Sequence, residues 1–532
     1  MIRPNRFVFA FMYVVFAAVC CRASNIYVAQ EAVGGNSGAD CANAHSATWF
    51  NSSANWTPIV GPIGPGTTVH LCGKFTGPAG GGRYLTFHGS GTSGNPITLI
   101  ADQGPVTITA PYWSGDIISL GSARYITING DNNLTLQATA NGTNLQYQYQ
   151  TGSCVSGSGG GNIIVENLTC SNLYVHACTP PISNCRDTNG YGNGIAISNE
   201  STVQILNNTI HDLHWAVIYA VGSGSYGGFQ ASGNNIYNMD HGIVPLIGNG
   251  SSGTLSNVFI FGNHIHDMQS WDDVADNFHH DPIHAFDFAN GTITGIYVYN
   301  NLFDGNWGVH TNSGTYMEGP NEGGVITSCY IFNNVYNPSA GSDASGSIAD
   351  YSSNGCLAAN NTVFSSGIIA RFTTSGGAIW YNNIVPGCGN SCPAVMGGNG
   401  GSGLIAASDY NAFALLPTNG NGFVQPSGHC CQSLATWQRL GFDTHAVVSP
   451  PSGQGTVAYL NFDPLTYALL SKSPLIQTGK NLYSICHGQP VPGLGALCSD
   501  YSGNPRSSSG NWDIGAYSHP PAAPSNLTGI VK

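Results

Sequence analysis

Residues 234–267, NNIYNMDHGIVPLIGNGSSGTLSNVFIFGNHIHD, contain two copies of one short pattern. The pattern is an Asn, an apolar residue two positions later, and usually Asp or Asn four positions after the first Asn. Its copies begin at Asn208, Asn234, Asn263, Asn300, Asn333, Asn361 and Asn382, so the intervals are 26, 29, 37, 33, 28 and 21 residues. A constant core at variable spacing indicates one structural unit that carries loops of different length.

Each unit begins with a short alternating strand such as VQIL, VFIF, IYVY or CYIF, and a second short strand follows a Gly, as at Gly242 and Gly308. No segment shows a sustained apolar stripe of 3.6-residue period, so few helices are expected. Short strands at this period, with 72 Gly for turns, predict an all-β right-handed parallel β-helix in which the Asn side chains stack as a ladder. A β-propeller is the alternative, but its blades need longer repeats with four strands each.

The chain divides by composition into five parts. Residues 1–23 combine a basic start with a short apolar run, which predicts a signal peptide and therefore a secreted protein. Residues 24–94 are predicted to form an irregular N-terminal cap, 95–415 the coils and 416–519 a C-terminal cap that includes a short helix at 433–440. Residues 520–532 form a Pro-rich tail. No stretch is long and apolar enough for a membrane span.

The charge and the cysteines restrict the partners and the compartment. The formal charge of −13 becomes −13 − 3 = −16 when Arg3, Arg6 and Arg22 leave with the leader, so nucleic acid and anionic membranes are poor partners. Two of the 16 cysteines also leave, and the remaining 14 are an even number, as expected for disulfides in an exported protein. The sequence suggests the pairs Cys41–Cys72, Cys388–Cys392 and Cys486–Cys498, a bridge between coils at Cys329–Cys356, and a stapled loop from Cys154 to Cys185.

The repeat over about residues 95–415, together with Ser499-Asp-Tyr-Ser-Gly-Asn-Pro-Arg506 and the following Asn511-Trp-Asp-Ile-Gly-Ala-Tyr517, resembles the pectin-lyase-like superfamily of parallel β-helix proteins. That resemblance implies a carbohydrate-active protein with its site on the outer face of one sheet, beside long loops. It does not fix the activity, because the superfamily contains lyases, glycosidases, esterases, adhesins and phage tailspikes. The polygalacturonase and pectate lyase signatures are not matched here.

Candidate site residues are concentrated between residues 271 and 319, in a chain of which only 7% is charged. Aligning the units places His284 and His310 one above the other on neighbouring coils. Because Ile283 and Val309 alternate with them, the histidines should point outward from the core. Continuing the same column leads to Arg371 when the units are aligned by their Asn, or to a residue two positions earlier when they are aligned by their Gly. We expect Arg371 to bind substrate.

The loop before His284 adds further candidates at the edge of the same face. His280, Asp281 and Asp273 lie within reach of His284, and Asp272 and Asp276 are the expected ligands if Ca²⁺ binds. Trp271, Trp307 and Tyr316 are predicted to offer flat surfaces to sugar rings. The alternative is a hydrogen-bonded loop or a metal clip without catalytic function.

These observations predict an exported protein that cleaves a polysaccharide, either as a glycoside hydrolase or as a lyase. His284, His310, Asp281 and Asp273 are the predicted catalytic residues, since His transfers protons near neutral pH and carboxylates assist. The competing hypothesis is a non-catalytic extracellular protein that binds glycan or assembles end to end.

Overall fold

A computed structural model describes residues 24–56, 61–141, 145–147, 151–173, 192–248, 250–268, 279–287, 290–308, 311–319, 323–339, 346–364, 369–371, 377–385, 395–397, 405–416, 423–424, 433–453, 455–463 and 465–519. The predicted signal peptide, the Pro-rich tail and the Cys388–Cys392 pair lie outside these residues. No helix of the described part is long and apolar enough to cross a membrane.

The chain winds into three parallel ladders of stacked strands, which confirms the predicted right-handed parallel β-helix and excludes the propeller. Ladder A contains Asn25–Ala29, Thr68–Leu71, Ile97–Ile100, the first parts of Arg124–Ala138 and Gly161–Leu173, Val203–Leu206, Ser225–Ser232, Thr254–Phe261, Thr292–Tyr299, Val325–Phe332, Leu357–Ala359, Ala378–Tyr381 and Ile405–Asp409.

Ladder B follows ladder A in each coil. It contains Lys74–Thr76, Val106–Ala110, the second parts of Arg124–Ala138 and Gly161–Leu173, the first parts of Thr209–Val221 and Asn235–Ile247, His264–His266, Leu302–Gly305, Val335–Pro338, Thr362–Val363, Ala412–Phe413 and Val447–Val448. A single bridge at Ile384 joins Thr362 to Ala412.

Ladder C completes each coil and carries the candidate site. It contains Leu85–Thr86, Asp116–Ser119, Ser153–Ser158, Asn193–Ser198, the second parts of Thr209–Val221 and Asn235–Ile247, Asp281–Asp287, Ser313–Glu318, Gly346–Tyr351, Ile369–Arg371, Val395–Gly397 and Phe423–Val424.

A few short elements stand outside the ladders. The strand His45–Ser46 pairs with Asn25–Ala29. The α-helices are Ala47–Phe50, Leu434–Arg439 and Tyr483–Cys486, and the 3-10 helices are Cys41–Asn43, Ser53–Trp56, Val457–Leu460 and Leu494–Cys498. The helix Leu434–Arg439 confirms the one predicted at 433–440, and the Ser433 hydroxyl caps it by accepting from the Thr436 amide.

The core is a column of apolar side chains that point inward from every coil. Along ladder C, Val217, Ile243 and Ile283 stack in register and are fully buried. Because strand side chains alternate between faces, the neighbours of these residues lie on the outer surface. Burial of this continuous column provides the main stabilising free energy of the solenoid.

A ladder of buried asparagines joins the coils at the corner between ladders A and B. Each side-chain amide donates to the side-chain oxygen of the next Asn, at 2.9–3.1 Å, along Asn208, Asn234, Asn263, Asn301, Asn334, Asn361, Asn383 and Asn411. The same oxygens also accept a backbone amide from the preceding coil, as Asn301 does from Asn263 at 3.0 Å. The Asp443 carboxylate ends the ladder by accepting from Asn411 at 2.8 Å.

The ladder confirms the predicted stacking but not its register in three coils. Asn301, Asn334 and Asn383 occupy the ladder, whereas Asn300, Asn333 and Asn382, the first Asn of each pair, have left-handed φ angles of 53°, 53° and 58°. Asn is one of the few residues that adopts this conformation readily, so an Asn-Asn pair serves both the turn and the ladder. The repeat alone could not distinguish the two neighbouring positions.

Four disulfides connect the described residues of neighbouring segments. The predicted pairs Cys41–Cys72, Cys329–Cys356 and Cys486–Cys498 are confirmed, and Cys329–Cys356 joins two coils across a Cα separation of 4.6 Å. The predicted stapled loop beginning at Cys154 is wrong, because Cys154 bonds to Cys170 and both lie in coil strands within the core.

The last described residues return along the outer face of ladder A. Leu482, Leu497 and Trp512 pack against Tyr299 and Phe332, which belong to a stack of aromatic rings on that face. The outward Asn side chains of the turns hold this segment: Asn333 donates to the Ser499 carbonyl at 2.8 Å and Asn382 to the Lys480 carbonyl at 2.9 Å. The helix with Trp437 instead packs against Phe423 at the end of the core.

Asn301→Ala should lower the free energy of unfolding by about 3 kcal/mol, because the buried amide and side-chain donors of Asn263 would both lose their acceptor. Asn95→Ala, which truncates an exposed Asn, is the matched control and should change stability by less than about 0.5 kcal/mol. Urea denaturation of both variants measures the difference. Equal stability of the two would show that the ladder contributes little.

Candidate functional site

The register of ladder C brings ionisable side chains of separate coils close to one another. His241 pairs with Asp281, and His284 pairs with Tyr316 in the next coil. Ile283 points into the core, so His284 lies on the outer face, in one column with Ile218, Val244, Tyr316, Ala349 and Ala370.

Other residues occupy two positions of this column for which His310 and Arg371 were predicted. Tyr316, not His310, lies beside His284, because the strand that follows is Ser313–Glu318 and its Gly314 aligns with Gly242; His310 itself lies outside the described residues. Ala370 holds the place predicted for Arg371. Arg371 pairs with Asp350, which pairs with Met317, so its backbone lies one position along the strand from this column.

Asp281 is the centre of the site. Its carboxylate is fully buried, and its Oδ1 accepts the Ser313 backbone amide at 3.0 Å. Its Oδ2 lies 2.6 Å from His279 Nδ1, 3.7 Å from His284 Nδ1 and 3.8 Å from His241 Nε2. We call His241, His279, Asp281 and His284 the Asp281 cluster.

A second carboxylate, Asp240, contacts His241 of the cluster. It is 1% exposed and lies 2.6 Å from His241 Nδ1 and 2.6 Å from His280 Nδ1. Its Oδ2 also lies 3.2 Å from His214 Nε2 and accepts the Trp215 indole N–H at 3.1 Å. Burial opposes ionisation of Asp240, but His241 and His214 outweigh it and hold the pKa of this carboxyl well below its usual range.

A third carboxylate, Glu318, fixes the other side. Its Oε2 lies 3.0 Å from His284 Nε2, and its Oε1 accepts the Tyr316 hydroxyl at 2.7 Å. The Tyr316 ring stacks on His284 at 4.6 Å between centroids. Burial, reinforced by Glu318, raises the pKa of Tyr316, so its hydroxyl stays protonated.

The environments of His279 and His284 drive their pKa values in opposite directions. Burial lowers the pKa of His284 below 6.5, and Glu318 and Asp281 offset this only in part. Burial also acts against the charged form of His279, but Asp281 outweighs it and raises the pKa above 6.5. His279 is the more accessible ring, with 37% of its side chain exposed.

The Asp281 cluster has the composition and orientation of a metal site. One donor atom from each of its four residues lies within 4.8 Å of the other three. His241 directs Nε2 to the centre while Asp240 holds Nδ1, and His284 directs Nδ1 to the centre while Glu318 holds Nε2. Carboxylates that fix the outer nitrogen of a ligating His are typical of metal sites.

The donor set selects the kind of ion. Three imidazoles and one carboxylate suit Zn²⁺, Mn²⁺ or Fe²⁺, whereas Ca²⁺ prefers six to eight oxygen ligands. The cluster therefore does not fit the expected Ca²⁺. Asp272 and Asp276, the predicted Ca²⁺ ligands, lie outside the described residues, as do Asp273 and Trp271.

The side chains of three predicted substrate contacts are covered in this structure, so these roles stay predictions that the burial does not favour. Trp307 is fully buried in the core and cannot meet a sugar ring. His280 is fully buried and bound to Asp240. Tyr316 is 7% exposed, and its ring face is occupied by His284.

The sequence prediction missed Asp240, His241 and Glu318, and it assigned no role to His279. A signal for the first two was present. Asp240-His241-Gly242-Ile243 and His280-Asp281-Pro282-Ile283 come from neighbouring coils, and each places a His and an Asp at the same distance before the Ile that stacks in the core. Glu318 follows Tyr316 by two positions and so shares its face.

The comparisons with known proteins found similar solved structures and no similar sequence. No family model and no curated protein match the chain. Among solved structures, pectate lyase Pel9A is 14% identical, with 93% of this chain and 96% of that chain covered and a TM-score of 0.48. The GH136 lacto-N-biosidase from Eubacterium ramulus is 11% identical, with coverages of 80% and 68% and a TM-score of 0.44. A rhamnogalacturonan lyase is 14% identical, with coverages of 82% and 90% and a TM-score of 0.32.

Asp240→Asn should lower the free energy of unfolding by about 3 kcal/mol, because it removes the buried charge that three imidazoles contact. Asp212→Asn is the matched control, since Asp212 contacts His211 with 34% of its side chain exposed and should cost less than about 1 kcal/mol. Denaturant titration at pH 7 compares the two variants. A cost for Asp240→Asn no larger than the control would contradict the central role of Asp240.

Proposed function

We propose that this chain is an exported carbohydrate-active enzyme that cleaves polysaccharide at a metal centre held by His241, His279, Asp281 and His284. Export is inferred from the predicted signal peptide and fits the four disulfides. The polysaccharide substrate is inferred from the superfamily resemblance and from the position of the cluster on the outer face of a long solenoid.

The observation that carries the metal centre is the orientation of His284. Its Nε2 is engaged by Glu318, whereas its Nδ1 is buried, points toward Asp281 and has no hydrogen-bond partner among the described residues. A buried nitrogen without a partner is costly, and a cation among the four donors would satisfy it. When bound, such an ion supplies Lewis-acid polarisation of a sugar oxygen or carboxylate.

The surrounding residues of the chain hold and orient the ligands. Asp240 keeps His241 in the tautomer whose Nε2 faces the centre, and Glu318 does the same for the Nδ1 of His284. Tyr316 helps to position this pair, because its ring stacks on His284 and its hydroxyl, which the raised pKa keeps protonated, donates to Glu318.

Elimination fits the described residues better than hydrolysis. A glycosidase of the usual kind needs two carboxyl groups free to act on either side of the bond. Here Asp240, Asp281 and Glu318 are each engaged by imidazoles. We therefore favour a lyase acting on an acidic polysaccharide, in which a cation held by the Asp281 cluster would offset the charge of the substrate carboxylate. We retain His310 and Asp273 as candidate proton acceptors.

A second candidate is a metal-free acid–base enzyme that uses the same cluster. The 2.6 Å contact between His279 Nδ1 and Asp281 Oδ2 favours it, because this contact satisfies the central oxygen without a cation. The opposite pKa shifts would then make His284 the base and His279 the acid.

The purified mature protein should release unsaturated products from acidic polysaccharides, measured by ultraviolet absorbance together with reducing ends. Dialysis against a chelator should reduce the rate at least tenfold, and Zn²⁺ or Mn²⁺ should restore it. His279→Ala should reduce both the rate and the metal content by plasma mass spectrometry. His445→Ala is the control, because His445 is exposed and contacts Asp409 alone among the carboxylates of the described residues.

Reducing ends without absorbance would contradict the lyase and support a hydrolase. Unchanged activity after chelation would overturn the metal centre. If folded protein, shown by an intact thermal transition, releases no product from a broad panel of acidic and neutral polysaccharides, the proposed enzymatic activity is contradicted. That result would support the non-catalytic glycan-binding alternative.

The pH profile separates the second candidate from the first. Without a metal, activity should be highest near pH 6.5, falling in acid as His284 becomes protonated and in alkali as His279 loses its proton. Asp281→Asn should move the alkaline limb to lower pH, because Asp281 is the main group that raises the pKa of His279. An alkaline limb that does not move in this variant, when folded, would contradict the acid role of His279.

A further inference from the structure

A second group of metal-ligating side chains lies on the outer face of ladder B, away from the Asp281 cluster. His264 and His266 are separated by Ile265, which is fully buried, so both imidazoles project from the same face of the strand. Their rings stack with centroids 4.2 Å apart. Asp304, from the next coil, is paired in register with His266.

Hydrogen bonds hold the side chains of His264, His266 and Asp304 close to one another. His264 Nε2 lies 2.7 Å from Asp304 Oδ1. His266 Nδ1 lies 2.8 Å from Asp267 Oδ2. Its other nitrogen, Nε2, lies 3.3 Å from Asn235 Oδ1 and is the one that can bind a metal ion. Asp267 is itself fixed by the Asn306 backbone amide at 2.8 Å. One donor atom from each of His264, His266 and Asp304 lies within 4.8 Å of the other two.

The group is open to solvent. The side chains of His264, Asp304 and His266 are 41%, 25% and 19% exposed. An ion can therefore reach the three donors without unfolding the coil, and water can complete its coordination. This differs from the Asp281 cluster, where three of the four residues are buried.

We propose that His264, His266 and Asp304 form a second metal site, which binds a divalent transition-metal ion of the Zn²⁺ class. Two imidazoles and one carboxylate favour Zn²⁺, Ni²⁺ or Cu²⁺ over Ca²⁺ or Mg²⁺. The bound ion joins the coil of Leu302–Gly305 to that of His264–His266. This site does not depend on the proposed catalytic function, since it shares no residue with the Asp281 cluster.

The chain contains a matched control in the same ladder. His211 also lies beside an Asp, with its Nδ1 at Asp212 Oδ2, and it stacks on Tyr237 at 4.5 Å. The residue two positions before it is Thr209, not His. His211 therefore reproduces the His–Asp pair and the ring stack without the second imidazole.

Zn²⁺ titration of the mature full-length protein, after dialysis against a chelator, tests the proposal by calorimetry. We expect two ions per chain in the wild type. The double variant His264→Ala/His266→Ala should bind one fewer, and His211→Ala should bind as many as the wild type. His284→Ala should lose the ion of the Asp281 cluster and keep the ion of the second site.

Co²⁺ gives an independent readout, because the two imidazole ligands should produce visible absorption bands that the double variant loses. Thermal melting without metal checks that the variants fold. We expect them to fold, because these side chains are partly exposed and contribute little to the core. Equal stoichiometry in the double variant and the wild type would overturn the second site. One ion in the wild type that is lost in the double variant would support the second site while contradicting the metal centre of the proposed function.

Discussion

The matching of buried amides at the corner between ladders A and B is the constraint on which this structure depends. A solenoid of short strands has no long helix or large sheet face to fix one coil above the next, and its apolar core tolerates sliding. The asparagine ladder removes that freedom, because each side chain must meet both a backbone amide and a side-chain amide of its neighbour. A shift of one residue would leave buried donors unmatched and turn the core side chains outward.

The candidate site follows from this register. His241, Asp281 and Ser313 come from three successive coils, and nothing in their sequence separation indicates that they meet. Stacking in register places them on adjacent strands, where Asp240 and Glu318 can orient two imidazoles toward one point. The loops vary in length, yet the strands that carry the ligands keep a constant spacing of about 4.8 Å. The fold thus provides a rigid frame for a group gathered from distant parts of the chain.

Much of the fold could be predicted from the sequence, because the repeat reports directly on the coil. Four ladder asparagines, three disulfides and the short helix near Trp437 followed from local spacing. The site was harder, since it depends on one alignment: matching Gly308 instead of Gly314 with Gly242 moved His310 into the place of Tyr316. The burial of Trp307 and His280 was equally inaccessible, because an isolated aromatic or imidazole shows no preference for either face of a coil until its neighbours are placed.

The return of the C-terminal segment over ladder A has a consequence for the order in which the molecule is made. Trp512 packs near Tyr299 and Phe332, and Arg506 donates to Asn333, so these coils are covered only after residues about 170 or more positions later have been synthesised. Until then their aromatic stack is uncovered, and the growing chain exposes an apolar surface that is prone to aggregation. A chain that stops before this segment would lack this cover over its aromatic stack, so the segment distinguishes chains that have passed this point from shorter ones.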